Sequence, residues 1–166
     1  PDIIVMDKAW HGRSMATLSA TGSRKAQAGF EPLMPGFIRV PYDDIASIQK
    51  IANQKNNIVA IMLEPIQGEA GVIVPDEDYF TKVSALCKEH NILLAMDEVQ
   101  TGFGRTGANF AHQLFNVKPD IIGCGKAAGG GILPVSFVAG KKEIIDTLTP
   151  GSEGSTFGGY PIAAVV

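Results

Sequence analysis

Three apolar stretches of strand length each run straight into residues able to do chemistry. Ile58 to Leu63 leads into Glu64-Pro-Ile-Gln-Gly-Glu69, and Ile92 to Met96 into Asp97-Glu98-Val99-Gln100-Thr101-Gly102. Asp120 to Cys124 leads into Gly125-Lys126-Ala127-Ala128-Gly129-Gly130-Gly131. Open parallel sheets bind their ligands at the carboxyl ends of the strands, so these three ends are candidate neighbours. An acidic residue after one strand and a lysine after the next can meet across a shared crevice. Pyridoxal chemistry requires that pair. A carboxylate keeps a pyridine nitrogen protonated, so that the ring can draw electrons from a substrate carbanion, while a lysine amine forms a Schiff base and then shuttles a proton. The glycines after Lys126 leave room for backbone beside a bulky cofactor.

Each piece also has an ordinary reading. A loop lysine is most often a solvated charge. An Asp-Glu pair after a strand is often a helix cap or part of a turn. Only the joint order and spacing of the pieces separates the two readings.

The elements that must hold these residues alternate between strand and helix patterns, the mark of a parallel α/β sheet. Ile3 to Met6 and Val135 to Ala139 add strand character, and the near-continuous apolar runs predict strands covered on both faces. Tyr79, Phe80, Val83, Leu86 and Cys87 fall on one helix face, with Asp76, Glu77 and Asp78 predicted in its first turn. Ile45, Ile48, Ile51 and Ala52 repeat that spacing after Asp43 and Asp44. Ser19 to Pro41 shows no sustained period and reads as one long loop. Pro161 to Val166 reads as the opening turn of a helix. Without an initiating Met, and with a strand already in progress at Ile3, the chain reads as an internal piece of something longer.

Composition narrows the class. The 166 residues are 45% hydrophobic and 19% charged, enough to bury a sizeable core. A net charge of -3, with the fourteen Lys and Arg scattered, gives no footprint for nucleic acid or an anionic membrane. No long apolar run suggests a membrane span or secretory leader, and Cys87 and Cys124 have no paired spacing, so a reducing cytoplasm is expected. Cys87-x-x-His90 lies on the predicted amphipathic helix without a second pair and reads as packing rather than metal ligation. His112 reads as an ordinary helix residue, and His11 is given no catalytic step.

Taken in order, Trp10-His11-Gly12-Arg13, Glu64 to Glu69, Asp97 to Gly107, Pro119 to Gly131 and Gly154 to Pro161 resemble successive signatures of the class III pyridoxal-phosphate-dependent aminotransferases. The resemblance covers nearly the whole chain. Ser19-Ala20-Thr21-Gly22 and Glu64 to Glu69 are most similar to the acetylornithine and ornithine aminotransferases within that family. It implies a fold type I large domain, a three-layer α/β/α arrangement with a mostly parallel sheet, in a homodimer whose active sites lie at the subunit interface. It also implies transfer of an amino group from an N-acetylornithine-like or ornithine-like donor to 2-oxoglutarate.

Carried over by position, the resemblance implies that Lys126 forms the internal aldimine and Asp97 pairs with the pyridine nitrogen. Val99 would pack on one ring face and Trp10, where the family has Phe or Tyr, on the other, with Gln100 near the phenolic oxygen. Arg13 would meet a substrate carboxylate, which its planar fork matches; its ordinary reading is a surface arginine. Glu69 corresponds to a glutamate that pairs with an arginine lying beyond this chain; its ordinary reading is a turn residue beside Gly68. Ser155 and Thr156 resemble the loop whose threonine reaches the cofactor phosphate of the neighbouring subunit. Glu153 and Tyr160 depart from the family's His and Asn there.

Rival readings fare worse. Ala127 stands where a nucleotide phosphate loop needs Ser or Thr, no strand precedes a Gly-x-Gly-x-x-Gly turn, and there is no nucleophile elbow. A non-catalytic truncated module stays open, as do 4-aminobutyrate, succinylornithine and aminomutase substrates. The family's other phosphate-binding glycine loop would precede Pro1 and its small domain would follow Val166, so these residues alone are expected to bind cofactor poorly and turn over little.

Overall fold

The computed structural model describes residues 1–165. Six strands form one sheet in the order β2-β1-β3-β4-β5-β6: β1 is Asp2–Met6, β2 Phe37–Val40, β3 Ile58–Leu63, β4 Leu93–Asp97, β5 Ile121–Cys124 and β6 Phe137–Gly140. All neighbouring pairs are parallel except β5 and β6, which run antiparallel. The predicted α/β class with a mostly parallel sheet is therefore observed, with a reversed strand at one edge. No described helix is long and apolar enough to cross a membrane.

Helices α3 (Ile45–Gln54) and α4 (Tyr79–Glu89) cover one face. Strand side chains alternate between faces. Ile4 and Met6 of β1, Ile61 and Leu63 of β3, and Leu94 and Met96 of β4 accordingly form one core with Ile48, Phe80 and Val83. The Asp44 carboxylate caps α3, accepting from the Ser47 amide at 3.1 Å. The predicted acidic first turn of α4 is corrected, because the helix starts at Tyr79, leaving Asp76 and Glu77 outside it and Asp78 as an N-cap whose carboxylate pairs with Lys82 at 2.6 Å rather than with a helix amide. Cys87 is buried in the core, and burial pushes its thiol up to about 12, so it packs rather than reacts.

Coverage on both faces, expected from the apolar strands, is met on the α3–α4 side. On the other side Met62, Ala95, Ile121, Gly123 and Val138 border an open groove of about 340 Å³ among the described residues.

The single long loop read over Ser19 to Pro41 is also corrected. It contains the end of α1 (Met15–Ala20), a four-residue helix α2 (Arg24–Gln27) and edge strand β2. Polar side chains order it rather than an apolar stripe. Buried Gln27 donates Nε2 to the carbonyls of Leu18 and Thr21, and Arg39 donates to those of Ser19 and Thr21. Gly22 lets this segment lie against the turn after β1, since a Cβ there would sit 2.3 Å from the Lys8 nitrogen. Beyond β6 come two short helices, α5 (Lys142–Ile145) and α6 (Pro161–Val165), the second of which is the predicted opening turn; Val166 lies outside the described residues.

Candidate active site

The ends of β3, β4 and β5 and the turn after β1 surround one pocket. Trp10, His11, Glu64, Asp97, Val99 and Lys126 line it, with Gly12, Gly68, Glu69 and Gln100 completing the wall. β4 and β5 are adjacent and parallel, and Asp97 stands opposite Gly123 in their register. Three further residues carry the chain past that point to Lys126.

Lys126 is exposed, and its amine donates to Oε1 of Gln100. Its backbone lies in the left-handed region at φ 46°, a conformation that costs a non-glycine residue about 1–2 kcal/mol. Strain of that kind gathers where a side chain must be aimed. Gly125 before it lets the chain pass Val99, because a Cβ there would come within 3.3 Å of a Val99 methyl.

Asp97 is buried at 8% exposure and held from two sides. Its Oδ1 accepts from the Val99 amide at 3.1 Å, and its Oδ2 lies 2.7 Å from His11 Nδ1. A carboxylate only accepts, so this pairing puts the hydrogen on Nδ1. His11 Nε2 is buried with no partner among the described residues. His11, given a supporting place but no catalytic step from its sequence, is thus the residue that orients the site's central carboxylate. The one signal for it in the sequence is its place in the Trp-His-Gly-Arg run.

Sequence reasoning singles out Glu69 and assigns nothing to Glu64, yet Glu64 is the buried one of the two. Its Oε2 accepts from the Trp10 amide at 3.0 Å, and the Tyr42 hydroxyl donates to the carbonyls of Glu64 and Pro65 behind it. Burial pushes the Glu64 carboxyl above its ordinary 4.5, with the Trp10 amide and His11 opposing the rise and the Asp97 charge adding to it. An acid that holds its proton more tightly when folded stabilises the fold at low pH. That contribution fades as pH climbs above 4.5 and through the raised value. Thermal midpoints of the full-length protein and its Glu64→Gln variant between pH 4 and 8 should therefore move in the variant's favour as pH rises. A difference that shrinks or stays flat contradicts the assignment.

Glu98, also given no role, is fully buried and is not among the residues that line the pocket. It accepts from Thr101 Oγ1 at 2.5 Å and from the amides of Ala111 and His112 at 3.0 and 2.8 Å. His112 Nδ1 lies 3.0 Å from the same carboxylate. His112, read as an ordinary helix residue, sits instead in a short 3-10 turn, Ala111–Gln113, fastened by Glu98.

The remaining predicted residues are placed less centrally. Glu69 is exposed on the pocket wall. Arg13 is exposed beside the pocket, its guanidinium carbon 4.8 Å from the centre of the Trp10 ring. Ser155 and Thr156 are exposed and are not among the residues that line the pocket. Among the described residues no group of three or more His, Cys, Asp or Glu is placed to hold a metal ion.

The donor set suits pyridoxal phosphate. It offers a primary amine, a buried carboxylate fixed by an imidazole, and an aromatic and a branched aliphatic side chain on the pocket wall.

The family profile described as aminotransferase class-III matches residues 1–166. An ornithine aminotransferase of Oceanobacillus iheyensis is 51% identical over 99% of this chain and 41% of its own length. An acetylornithine aminotransferase of Nitrosomonas europaea is 49% identical over 98% of this chain and 41% of its own. The ornithine aminotransferase of Toxoplasma gondii, crystallised with oxidised glutathione and described as showing partial occupancy of PLP at its active site, superposes with a TM-score of 0.93. It is 38% identical, over 98% of this chain and 38% of that one. The chain thus spans about two fifths of the length of the curated relatives it matches. By fold, by pocket and by these similarities, the chain belongs to the class III aminotransferases.

Proposed function

We propose that this chain is part of the pyridoxal-phosphate-binding large domain of a longer cytoplasmic enzyme. That enzyme moves an amino group from an N-acetylornithine-like or ornithine-like donor to 2-oxoglutarate. The observation that carries the proposal is the placement of the Lys126 amine and the His11-held Asp97 carboxylate on one pocket. The open groove beside β5 supports the larger assembly, since an apolar sheet face needs a cover that residues outside this chain would provide. We accordingly expect these 166 residues alone to turn over little, and the whole enzyme to be a homodimer with shared sites.

When bound, pyridoxal phosphate supplies an electrophilic carbon for amines and a ring that withdraws electrons from the substrate. Lys126 would be the amine that attaches it and the base that takes the proton from the amino-bearing carbon of the substrate. Asp97, held by His11 and the Val99 amide, keeps a proton on the ring nitrogen side of the pocket. Val99 and Trp10 confine the ring faces, and Gln100 offers an amide to the ring oxygen. Arg13 presents a fork to a substrate carboxylate. Glu69 tunes donor choice at the pocket wall, and Ser155 and Thr156 serve the phosphate of a neighbouring subunit.

Borohydride reduction of the loaded full-length enzyme, followed by peptide mapping, is expected to find the reduced adduct on Lys126. An adduct on another lysine would sink the assignment. A donor panel of N-acetylornithine, ornithine, succinylornithine and 4-aminobutyrate then fixes the substrate, with highest kcat/KM expected for one of the first two.

A further inference from the structure

We infer that Trp10 is a positioning residue for carboxylate recognition, acting through Arg13 in addition to lining the cofactor pocket. The inference rests on the proposed role of Arg13 as the substrate-carboxylate group, and deepens it.

The Trp10-His11-Gly12-Arg13 segment is pinned at its first two residues. The Trp10 amide is bound by buried Glu64, the His11 amide donates to Thr21 Oγ1 at 2.9 Å, and the His11 ring is bound to Asp97. At Gly12 the chain turns through φ +135°, where a Cβ would come within 2.7 Å of Thr17 Oγ1. Arg13 follows with a side chain that has no carboxylate partner among the described residues. Among the described residues its one specific contact is the Trp10 ring, 4.8 Å from the guanidinium carbon.

That contact has a directional consequence. A guanidinium is attracted to the face of an aromatic ring, and indole is the strongest such partner. With the guanidinium carbon over the ring and no side-chain acceptor bound among the described residues, its N–H groups remain to grip a carboxylate. Trp10 therefore holds an otherwise free, exposed arginine at the pocket rim with its donors available. A flexible side chain fixed in advance loses less freedom when it binds. The indole of Trp10 therefore does more here than cover one face of the pocket. The ligand class is a carboxylate-bearing donor or acceptor.

The test measures glutarate, a dicarboxylate without an amine, binding to the loaded full-length enzyme by calorimetry, in a double-mutant cycle. Trp10→Leu is expected to raise the glutarate Kd about two- to fivefold, with Trp10→Tyr recovering part of the loss. In an Arg13→Ala background, Trp10→Leu is expected to add nothing. An equal loss with and without Arg13 would overturn the inference while leaving the carboxylate role of Arg13 intact. No change in glutarate binding from Arg13→Ala alone would remove that role and the inference together.

Discussion

Replacing Lys126 with Ala in the full-length enzyme is expected to abolish covalent attachment of the cofactor and to lower transamination by at least about 10²- to 10⁴-fold, the usual worth of a positioned acid–base group. Cofactor binding need not vanish, because Asp97, Val99 and Trp10 line the pocket independently of the lysine. The two losses separate chemistry from binding. Lys126→Arg sharpens the test. Arginine keeps the charge and much of the reach but stays protonated at any working pH, so it can neither attack a carbonyl nor accept a proton. A covalent role predicts that both variants fail alike. A merely electrostatic role predicts that arginine rescues turnover. Absorbance in the region of the attached cofactor and single-turnover kinetics read both effects, and substantial turnover by Lys126→Arg would refute the covalent assignment.

The left-handed backbone at Lys126 bears on the same question. Exposed Lys8, in the turn after β1, shares the conformation at φ 62°, so it is the direction of the Lys126 amine that matters. The strain is understandable if the residue must leave β5 and turn its amine toward Gln100 and the pocket.

Much of this arrangement is legible in the amino-acid sequence. The strands ending at Leu63, Asp97 and Cys124 announce themselves by unbroken apolar runs, and their carboxyl ends place Asp97 and Lys126 at the ends of neighbouring strands. Helices α3 and α4 are visible because Ile48, Val83 and Leu86 recur at helical spacing. What stays hidden lacks a periodic signal. The short strand β2 exists because it pairs with β1, and the ordering of Ser19 to Pro41 depends on Gln27 and Arg39 reaching distant carbonyls. Buried polar residues are hidden for the same reason. Glu64, Glu98 and His11 look like surface residues by type, and only their partners in space show that they are interior. Glu69 stands out in the sequence where Glu64 does not because family position, not burial, selects it.

Glu98→Ala is expected to cause the largest loss of order near the site. The fully buried carboxylate serves four donors at once: the Thr101 hydroxyl, the Ala111 and His112 amides, and the His112 ring. Removing it strands those donors in a largely buried region, and losing a fully buried carboxylate that several donors share costs about 3–5 kcal/mol. Glu98→Gln keeps one acceptor but turns an NH₂ toward groups that are themselves donors, so an intermediate loss of about 1–3 kcal/mol is expected. The consequence for function follows from chain order. Val99 and Gln100 lie between Asp97, which ends β4, and Thr101, which Glu98 holds down. When that fastening goes, Val99 and Gln100, the residues proposed to face the cofactor ring, keep the β4 anchor and the Gly102 amide bond to the Glu98 carbonyl but lose the side-chain tie to Thr101. Amide hydrogen exchange on the full-length protein locates the effect: Ala111 and His112 should lose protection in Glu98→Ala while Ile61 and Leu94 in the sheet core keep theirs. Cofactor affinity should fall in parallel. A Glu98→Ala variant that keeps both its protection at Ala111 and its cofactor affinity would show that the 101–113 segment holds the site without this carboxylate.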